Sequence, residues 1–295
     1  MVQHLRRGAF LCLCVLMLFT ATVNAADTAQ RGILWQISRP GLQASYLFGT
    51  VHTDDLRVTR LPSIVRERFK QADSFVAELK PDLAAMQEAS RMMYISGDRD
   101  LEAIIGAERF ASCVRLLADY GLPEDRVQHM KPWAVAVTLS VPKSGSGSGL
   151  VLDVQLYQEA QRQGKQLYGL ETAREQVAVF DTFSEQQQIG LLDDAIKHFG
   201  HLSMEYEELI HHYLQRDLSA LEEASRKTML RGDRMLAKSF MDRILRERNY
   251  RMLRRMQVQL QEGNSFIAVG ALHLPGDEGL LRLLEGQGYK VTPIY

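Results

Sequence analysis

The hydrophobic pattern of the chain has strand character towards both ends. Short runs rich in β-branched and aromatic residues are bounded by glycine, proline or polar turns, a pattern typical of half-buried strands. The first two runs flank Pro40-Gly41 and therefore predict a hairpin. The predicted strands cover residues 33–38, 44–48, 74–79, 166–171, 266–269 and 289–292.

Between these runs, apolar residues recur at helical spacing. Shorter helices are predicted over residues 63–72, 152–163 and 279–287, and long helical stretches over 83–140 and 185–262. The strand–helix–strand order of residues 44–79 predicts a parallel pair with a right-handed crossover. We expect an α/β fold in which a small mixed β-sheet, assembled from both ends of the chain, carries a large central helical region.

A short motif occurs twice, as Gly49-Thr50-Val51-His52 and as Gly270-Ala271-Leu272-His273. Each copy follows an apolar strand and leads through a polar turn into an amphipathic helix and a second strand. A lone Gly-x-x-His is a weak signal, because a single histidine at a strand end is more often a hydrogen-bonded structural residue. Its duplication in the same context favours two histidines that the fold brings to one place.

In open α/β sheets, ligands bind at the carboxyl ends of the strands. This rule places His52, Glu78, Glu171 and His273 at one edge of the predicted sheet. Two imidazoles and a carboxylate form a suitable ligand set for zinc, manganese, iron or cobalt. Glu78 could instead cap a helix or pair with an arginine, and Glu171 could simply begin the next helix, so a structural role stays open for both.

A run of arginines between residues 243 and 255 precedes the second motif. Most of its members are typical of a solvent-exposed helix face. Arg248 and Asn249 differ from the rest of the run, because helix packing could direct them into the same cleft. A guanidinium there could stabilise developing negative charge or hold a substrate carboxylate.

The first 25 residues have the features of a secretory signal peptide, with cleavage expected after Ala25. Mature residues 26–295 are then expected to form a single domain with a helical insertion at about 83–262, without a transmembrane segment, in the periplasm or secreted. Cys12 and Cys14 leave with the signal peptide, so disulfides do not hold the fold. Removing Arg6 and Arg7 from 35 basic and 36 acidic residues leaves a net charge of about −3, which argues against nucleic acid as a partner.

The motifs, in their order along the chain, resemble the TraB/GumN family, which is related to the Tiki proteins of animals. The matching segments are Leu47-Phe48-Gly49-Thr50-Val51-His52, Val76-Ala77-Glu78, Leu152-Asp153, Gly169-Leu170-Glu171-Thr172, Glu247-Arg248-Asn249 and Phe266 to Gly276. The resemblance implies an erythromycin-esterase/ChaN-like core and a metal-dependent hydrolase site with His52, Glu78 and His273 at its centre and Arg248 close by. Tiki proteins are described as metal-dependent proteases, whereas the related ChaN branch binds haem iron.

The leading hypothesis is a metal-dependent hydrolase that acts on a peptide or protein substrate. His52 and His273 would hold a divalent ion (Mn, Co or Zn), and Glu78 would complete the ligand set or act as general base. Arg248, assisted by Asn249, would stabilise an oxyanion or orient the substrate. Two alternatives stay open: a protein that binds haem, metal or an envelope component without turnover, and a metal-free hydrolase that uses histidine as general base.

Overall fold

The computed structural model describes residues 30–143, 149–229 and 232–295. The predicted signal peptide and its cleavage after Ala25 lie outside these residues. Among the described residues, no helix is both long enough and apolar enough to cross a lipid bilayer.

Strands and helices follow the predicted order along the chain. The strands are β1 (Leu34–Ser38), β2 (Ser45–Thr50), β3 (Ser74–Leu79), β4 (Gln166–Glu171), β5 (Ser265–Gly270) and β6 (Lys290–Pro293). The helices in the first half are α1 (Leu56–Thr59), α2 (Ser63–Gln71), α3 (Leu83–Met92), α4 (Leu101–Ile105), α5 (Ala107–Ala118), α6 (Glu124–Gln128), α7 (Pro132–Leu139) and α8 (Leu152–Arg162). Those in the second half are α9 (Ala173–Asp181), α10 (Glu185–His198), α11 (Leu202–Leu214), α12 (Leu218–Met229), α13 (Arg234–Met241), α14 (Glu247–Glu262) and α15 (Leu280–Gly286).

Two kinds of irregular helix add to this order. Short 3₁₀ turns occupy Phe199–His201 and Ala271–His273, and a π-helical turn occupies Asp242–Arg246 between α13 and α14. The predicted α/β class, with a small mixed sheet and a large helical region, is confirmed. Helix α1 was not predicted; it begins after Asp55, whose carboxylate accepts a hydrogen bond from the Arg57 amide.

The described strands form one sheet in the order β4-β3-β5-β2-β1-β6. Strands β4, β3, β5 and β2 are parallel, whereas β1 pairs antiparallel with both β2 and β6. The predicted β2–β3 pair therefore has the right direction but the wrong neighbours, because β5 from the end of the chain lies between them. Five of the six residues of β5 are buried, as expected for a strand inside the sheet that is covered on both faces.

An aromatic cluster anchors the sheet. Phe48, Phe75 and Phe266 are almost completely buried, and Phe69 from α2 packs on the latter two with ring centroids 5.6 and 5.3 Å away. These rings join β2, β3 and β5, the strands that carry the candidate site.

The helical region has a second apolar core, formed mainly by α4 to α7 and α10. Leu101, Leu117, Leu139 and Leu192 are fully buried there. Cys113 lies in the same core, and burial raises the pKa of its thiol to about 12. The thiol therefore behaves as a small buried apolar group.

The glycine of the first motif allows two elements to touch. A Cβ atom at Gly49 would lie 2.8 Å from Leu274 Cδ1 and 3.1 Å from Ala271 Cα. Ala271 begins the turn that carries His273, so the absence of a side chain at Gly49 lets this turn pack directly on β2.

The substitution Gly49→Ala is expected to lower the free energy of unfolding by about 1–3 kcal/mol, because the added methyl has no room. Urea unfolding followed by circular dichroism measures the effect. Gly286→Ala is the matched control, since no atom lies within 4 Å of its Cβ position and alanine favours a helix. Equal stability of Gly49→Ala and wild type would contradict the packing role.

Candidate functional site

Both Gly-x-x-His motifs lie at the same edge of the sheet. Strands β2 and β5 are parallel neighbours, with Thr50 opposite Gly270. Strands β3 and β4 are also parallel neighbours, with Leu79 opposite Glu171. The carboxyl ends of these four strands therefore gather the predicted residues on one side of the fold.

The partly exposed Glu78 and the buried His273 form the centre of this edge. Glu78 Oε1 accepts a hydrogen bond of 2.6 Å from the Gly270 amide and lies 3.4 Å from His273 Nε2. His273 is only 4% exposed. A Cβ at Gly270 would lie 3.2 Å from Glu78 Oε1, so a larger residue there would press on the carboxylate.

Asn249 fixes the orientation of the His273 ring. Its Nδ2 donates to the Glu278 carbonyl at 2.8 Å, which directs Oδ1 towards His273 Nδ1 at 2.6 Å. Because Oδ1 can only accept, Nδ1 carries the proton and Nε2 presents a lone pair to Glu78. Two acceptors thus face each other, an arrangement that a cation between them would stabilise.

Arg248 binds the two predicted glutamates together. Its Nη2 donates to Glu78 Oε2 and to Glu171 Oε2, both at 2.7 Å, and its Nε donates to Glu171 Oε2 at 2.9 Å. Its Nη1 faces the Ile244 carbonyl at 3.4 Å. The Arg248 side chain is 11% exposed, and its donors are directed at these protein acceptors, so it holds Glu78 in place.

Glu171 lies behind Arg248 and contacts a second cation. Its side chain is fully buried, and its Oε1 accepts from Arg251 Nη1 at 2.7 Å. Gln176 spans the two carboxylates, with Nε2 3.4 Å from Glu78 and 3.3 Å from Glu171. Of the two roles that the sequence left open for Glu171, this geometry favours the structural one.

His52 lies at the same edge but in a different environment. Its side chain is 73% exposed, and Nδ1 lies 3.3 Å from Asp153 Oδ2. Asp153 Oδ1 accepts a 2.6 Å hydrogen bond from Thr50, which fixes the carboxylate. The hydrogen bond with Asp153 raises the pKa of His52, partial desolvation of the ring opposes this rise, and the negative charges of Asp153 and Glu78 add to it.

Opposing effects set the pKa values of the buried pair. Burial opposes ionisation of Glu78, but the charge that His273 carries in its protonated form, the Arg248 guanidinium and the Gly270 hydrogen bond lower the pKa of Glu78 to about 2. Burial lowers the pKa of His273 to about 4, although Glu78 acts in the opposite direction. At neutral pH the site therefore holds a carboxylate beside a neutral imidazole.

The predicted site residues are thus only partly brought together. Glu78, His273, Arg248, Asn249 and Glu171 form one connected network, whereas His52 pairs with Asp153 beside it. Within the described residues, no group of three His, Cys, Asp or Glu side chains is close enough to hold a metal ion as it stands. The pair of facing acceptors on Glu78 and His273 nevertheless fits a cation, with His52 as the neighbouring imidazole.

Sequence reasoning did not assign Asp153, Gln176 or Arg251 to the site. Asp153 is 101 positions from His52 and begins an otherwise ordinary amphipathic helix, so no local pattern marks it. Its one signal was membership of the Leu152-Asp153 segment in the family resemblance. Arg251 could not be distinguished from the other arginines of α14, although it lies one turn after Arg248 on the same helix.

The fold and the site define an α/β protein with a histidine–carboxylate network at the carboxyl edge of its parallel strands. The TraB/PrgY/gumN family model matches residues 33–293, and the chain belongs to this family. Metalloprotease TIKI1 of Danio rerio is similar at 25% identity, over 96% of this chain and 69% of its own length. Metalloprotease TIKI1 of Homo sapiens is 25% identical over 88% of this chain and 61% of its own. Uncharacterized protein YbaP of Escherichia coli (strain K12) is 24% identical over 84% of this chain and 90% of its own.

No solved structure matches the chain. The family resemblance predicted from the motifs is confirmed by the family match.

The pKa of His273 makes stability depend on pH. Between pH 6.5 and about 4, the unfolded histidine binds a proton that native His273 does not. We therefore expect the free energy of unfolding of the chelator-treated protein to fall by about 3 kcal/mol as pH decreases through this window. Urea unfolding at a series of pH values measures the slope.

His273→Gln should flatten this slope, whereas His211→Gln, at an exposed position on α11, should leave it unchanged. The same slope in wild type and His273→Gln would show that His273 is not buried in its neutral form.

Proposed function

We propose that the chain is a metal-dependent hydrolase that acts as a peptidase, with a site formed by His52, His273 and Glu78. The observation that carries the proposal is shared by both histidines. The Nδ1 atom of each ring contacts a side-chain oxygen, from Asp153 for His52 and from Asn249 for His273. Both Nε2 atoms therefore remain available to bind a metal ion. Metal-binding histidines in proteins have this arrangement, because the outer oxygen fixes the tautomer and the ring orientation.

When bound, a divalent ion such as Mn, Co or Zn would supply Lewis acidity towards a scissile carbonyl and a water nucleophile at neutral pH. Nε2 of His52, Nε2 of His273 and Oε1 of Glu78 are the donors that would hold it. The exposed His52 ring leaves one side of this set open to solvent, where a substrate can approach.

The environment of Glu78 favours the ligand role over the role of general base. A carboxylate whose pKa is about 2 is a weak proton acceptor at neutral pH. Its second oxygen is bound to Arg248, so the first oxygen is fixed in direction and faces His273. The low pKa also argues against the metal-free hydrolase, in which a histidine and a glutamate would share the proton transfer.

Arg248 and Asn249 act in this proposal as positioning residues. Arg248 fixes the Glu78 carboxylate, and Asn249 fixes the His273 tautomer. An oxyanion-binding role for Arg248 would require some of its hydrogen bonds to Glu78 and Glu171 to be given up.

Peptide-bond cleavage as the reaction is supported by relatives named metalloproteases at about 25% identity. The proposed compartment is the periplasm or the extracellular space, supported by the signal-peptide pattern before Ala25.

The proposal is tested by incubating residues 26–295 with Mn, Co or Zn and a broad set of fluorogenic peptides and esters. Cleavage is expected for wild type and should fall at least about a hundredfold in His52→Ala and in His273→Ala, because each removes a metal ligand. His211→Ala is the matched control and should retain full activity, since His211 is exposed and outside the site.

Each alternative gives a different result. Activity that a chelator leaves unchanged would support the metal-free hydrolase. Stoichiometric capture of haem or metal without any cleavage would support the binding protein. Full activity in both histidine variants would contradict the proposed site.

The outer contact of His52 gives a separate prediction. Asp153→Asn should weaken metal binding by about 10–100-fold, because it removes the charge that orients His52 and raises its basicity. Isothermal titration with Mn or Zn measures the affinity. Asp98→Asn, on an exposed loop, is the control; equal affinity of Asp153→Asn and wild type would contradict the role of Asp153.

A further inference from the structure

A cavity of about 400 Å³ lies among the helices of the central region. Its volume falls in the range of protein sites for small organic groups. The walls come from α7, α9, α10, α11, α12, α13 and the π-helical turn, and they are mostly apolar. The larger apolar side chains in the walls include Trp133, Phe180, Phe199, Leu209, Leu236 and Phe240.

Specific contacts hold the aromatic walls. Trp133 stacks on Phe180 with ring centroids 5.5 Å apart, and its Nε1 donates to Asp181 Oδ1 at 2.9 Å. Phe240 packs against Phe180 with centroids 5.7 Å apart. The cavity is therefore bounded by side chains whose orientation is already fixed, which lowers the entropic cost of binding.

The cavity shares walls with the candidate site. Tyr206 lines the cavity, and its hydroxyl donates to the His52 carbonyl at 3.3 Å. Ile244 also lines it, and its carbonyl faces Arg248 Nη1 at 3.4 Å. A third connection runs along α9, where Phe180 lies one turn after Gln176, the amide that contacts Glu78.

The π-helical turn forms part of this shared boundary. Such turns are rare and are frequently found at functional sites. Here the turn carries Ile244 into the cavity wall, while Arg243 within it donates to Thr182 Oγ1 at 2.8 Å and lies over the Phe183 ring. The irregular backbone is thus held between the cavity and the arginine network of the site.

The mostly apolar walls of the cavity disfavour a charged occupant. Asp194, His198 and Glu205 are also among its described lining residues. Burial raises the pKa of Asp194, which reflects the apolar surroundings. A charged side chain placed here would lose its hydration among apolar walls, whereas an aromatic side chain would bury about 150–250 Å² of its surface.

We infer that this cavity is the specificity pocket of the hydrolase and accepts an aromatic or long aliphatic side chain of a peptide substrate. The role in substrate specificity rests on the proposed hydrolase function, but the binding of an apolar ligand to the cavity can be measured without catalysis. The peptide bond next to the bound side chain would lie towards His52, because Tyr206 joins the pocket to that residue.

The binding test uses the neutral fluorophore N-phenyl-1-naphthylamine and the mature protein. Wild type and the His52→Ala/His273→Ala variant should bind it equally, since the pocket lies beside the histidines and does not include them. Ala195→Phe on α10 and Ala237→Phe on α13 each fill the pocket and should weaken binding at least about tenfold. Ala84→Phe, at an exposed position on α3, is the matched control and should not change binding.

A competition experiment with the wild-type protein gives a second test that does not depend on whether the variants fold. N-acetyl-phenylalaninamide should displace the fluorophore at least about tenfold more effectively than N-acetyl-aspartic acid amide. Fluorophore binding unaffected by both filling variants, or equal displacement by the two amides, would overturn the inference. A preference for N-acetyl-lysinamide would overturn it as well.

The two proposals can fail separately. Specific fluorophore binding without hydrolysis of any peptide would leave the apolar pocket in place and remove the hydrolase. Hydrolysis that is equally fast for phenylalanine and aspartate peptides, and unchanged in Ala195→Phe, would keep the hydrolase and remove the specificity pocket.

Discussion

The buried guanidinium of Arg248 connects the main parts of this structure. It lies between Glu78 at the end of β3 and Glu171 at the end of β4, and its own helix α14 packs against the sheet. Loss of this cation would leave the largely buried Glu78 carboxylate without its arginine partner, at a cost of up to about 3–5 kcal/mol, so β3, β4 and α14 are held in one arrangement. The same constraint directs Oε1 of Glu78, which also accepts a hydrogen bond from the Gly270 amide, towards His273. The ion pairs of Arg248 with Glu78 and Glu171 therefore determine where the candidate site lies.

Each histidine is held by an outer contact from a helix. Asn249 is on α14 next to Arg248, so one helix sets both the carboxylate and the imidazole of the buried pair. Asp153, at the start of α8, orients His52 from the opposite end of the site. His52 is therefore open to solvent whereas His273 is not, although both histidines end the same Gly-x-x-His motif. The apolar cavity borders this edge through Tyr206 and Ile244, which places the proposed specificity pocket beside the proposed chemistry.

Local patterns predicted most of the fold because strands and helices are marked by residue spacing. Strands β3 and β4 were predicted to the residue, and the duplicated motif correctly placed His52 and His273 at the same sheet edge. The position of β5 between β2 and β3 was not predictable in this way. Strand order depends on how strands far apart in the sequence pack against one another, which local residue spacing does not reveal. The contacts of Asp153 with His52 and of Gln176 with Glu78 were missed for the same reason, because the partners are 101 and 98 positions apart along the chain. Glu171 was ambiguous in sequence because only the folded network shows that two arginines neutralise it.

The most direct measurement of the central claim is elemental analysis of residues 26–295, purified without chelators, beside the His52→Ala/His273→Ala variant. We expect nearly one divalent ion per wild-type chain and none in the variant, because the two available Nε2 atoms and Glu78 would supply the donors. Absence of metal from both proteins, even after incubation with Mn, Co and Zn, would contradict a metal centre at this site.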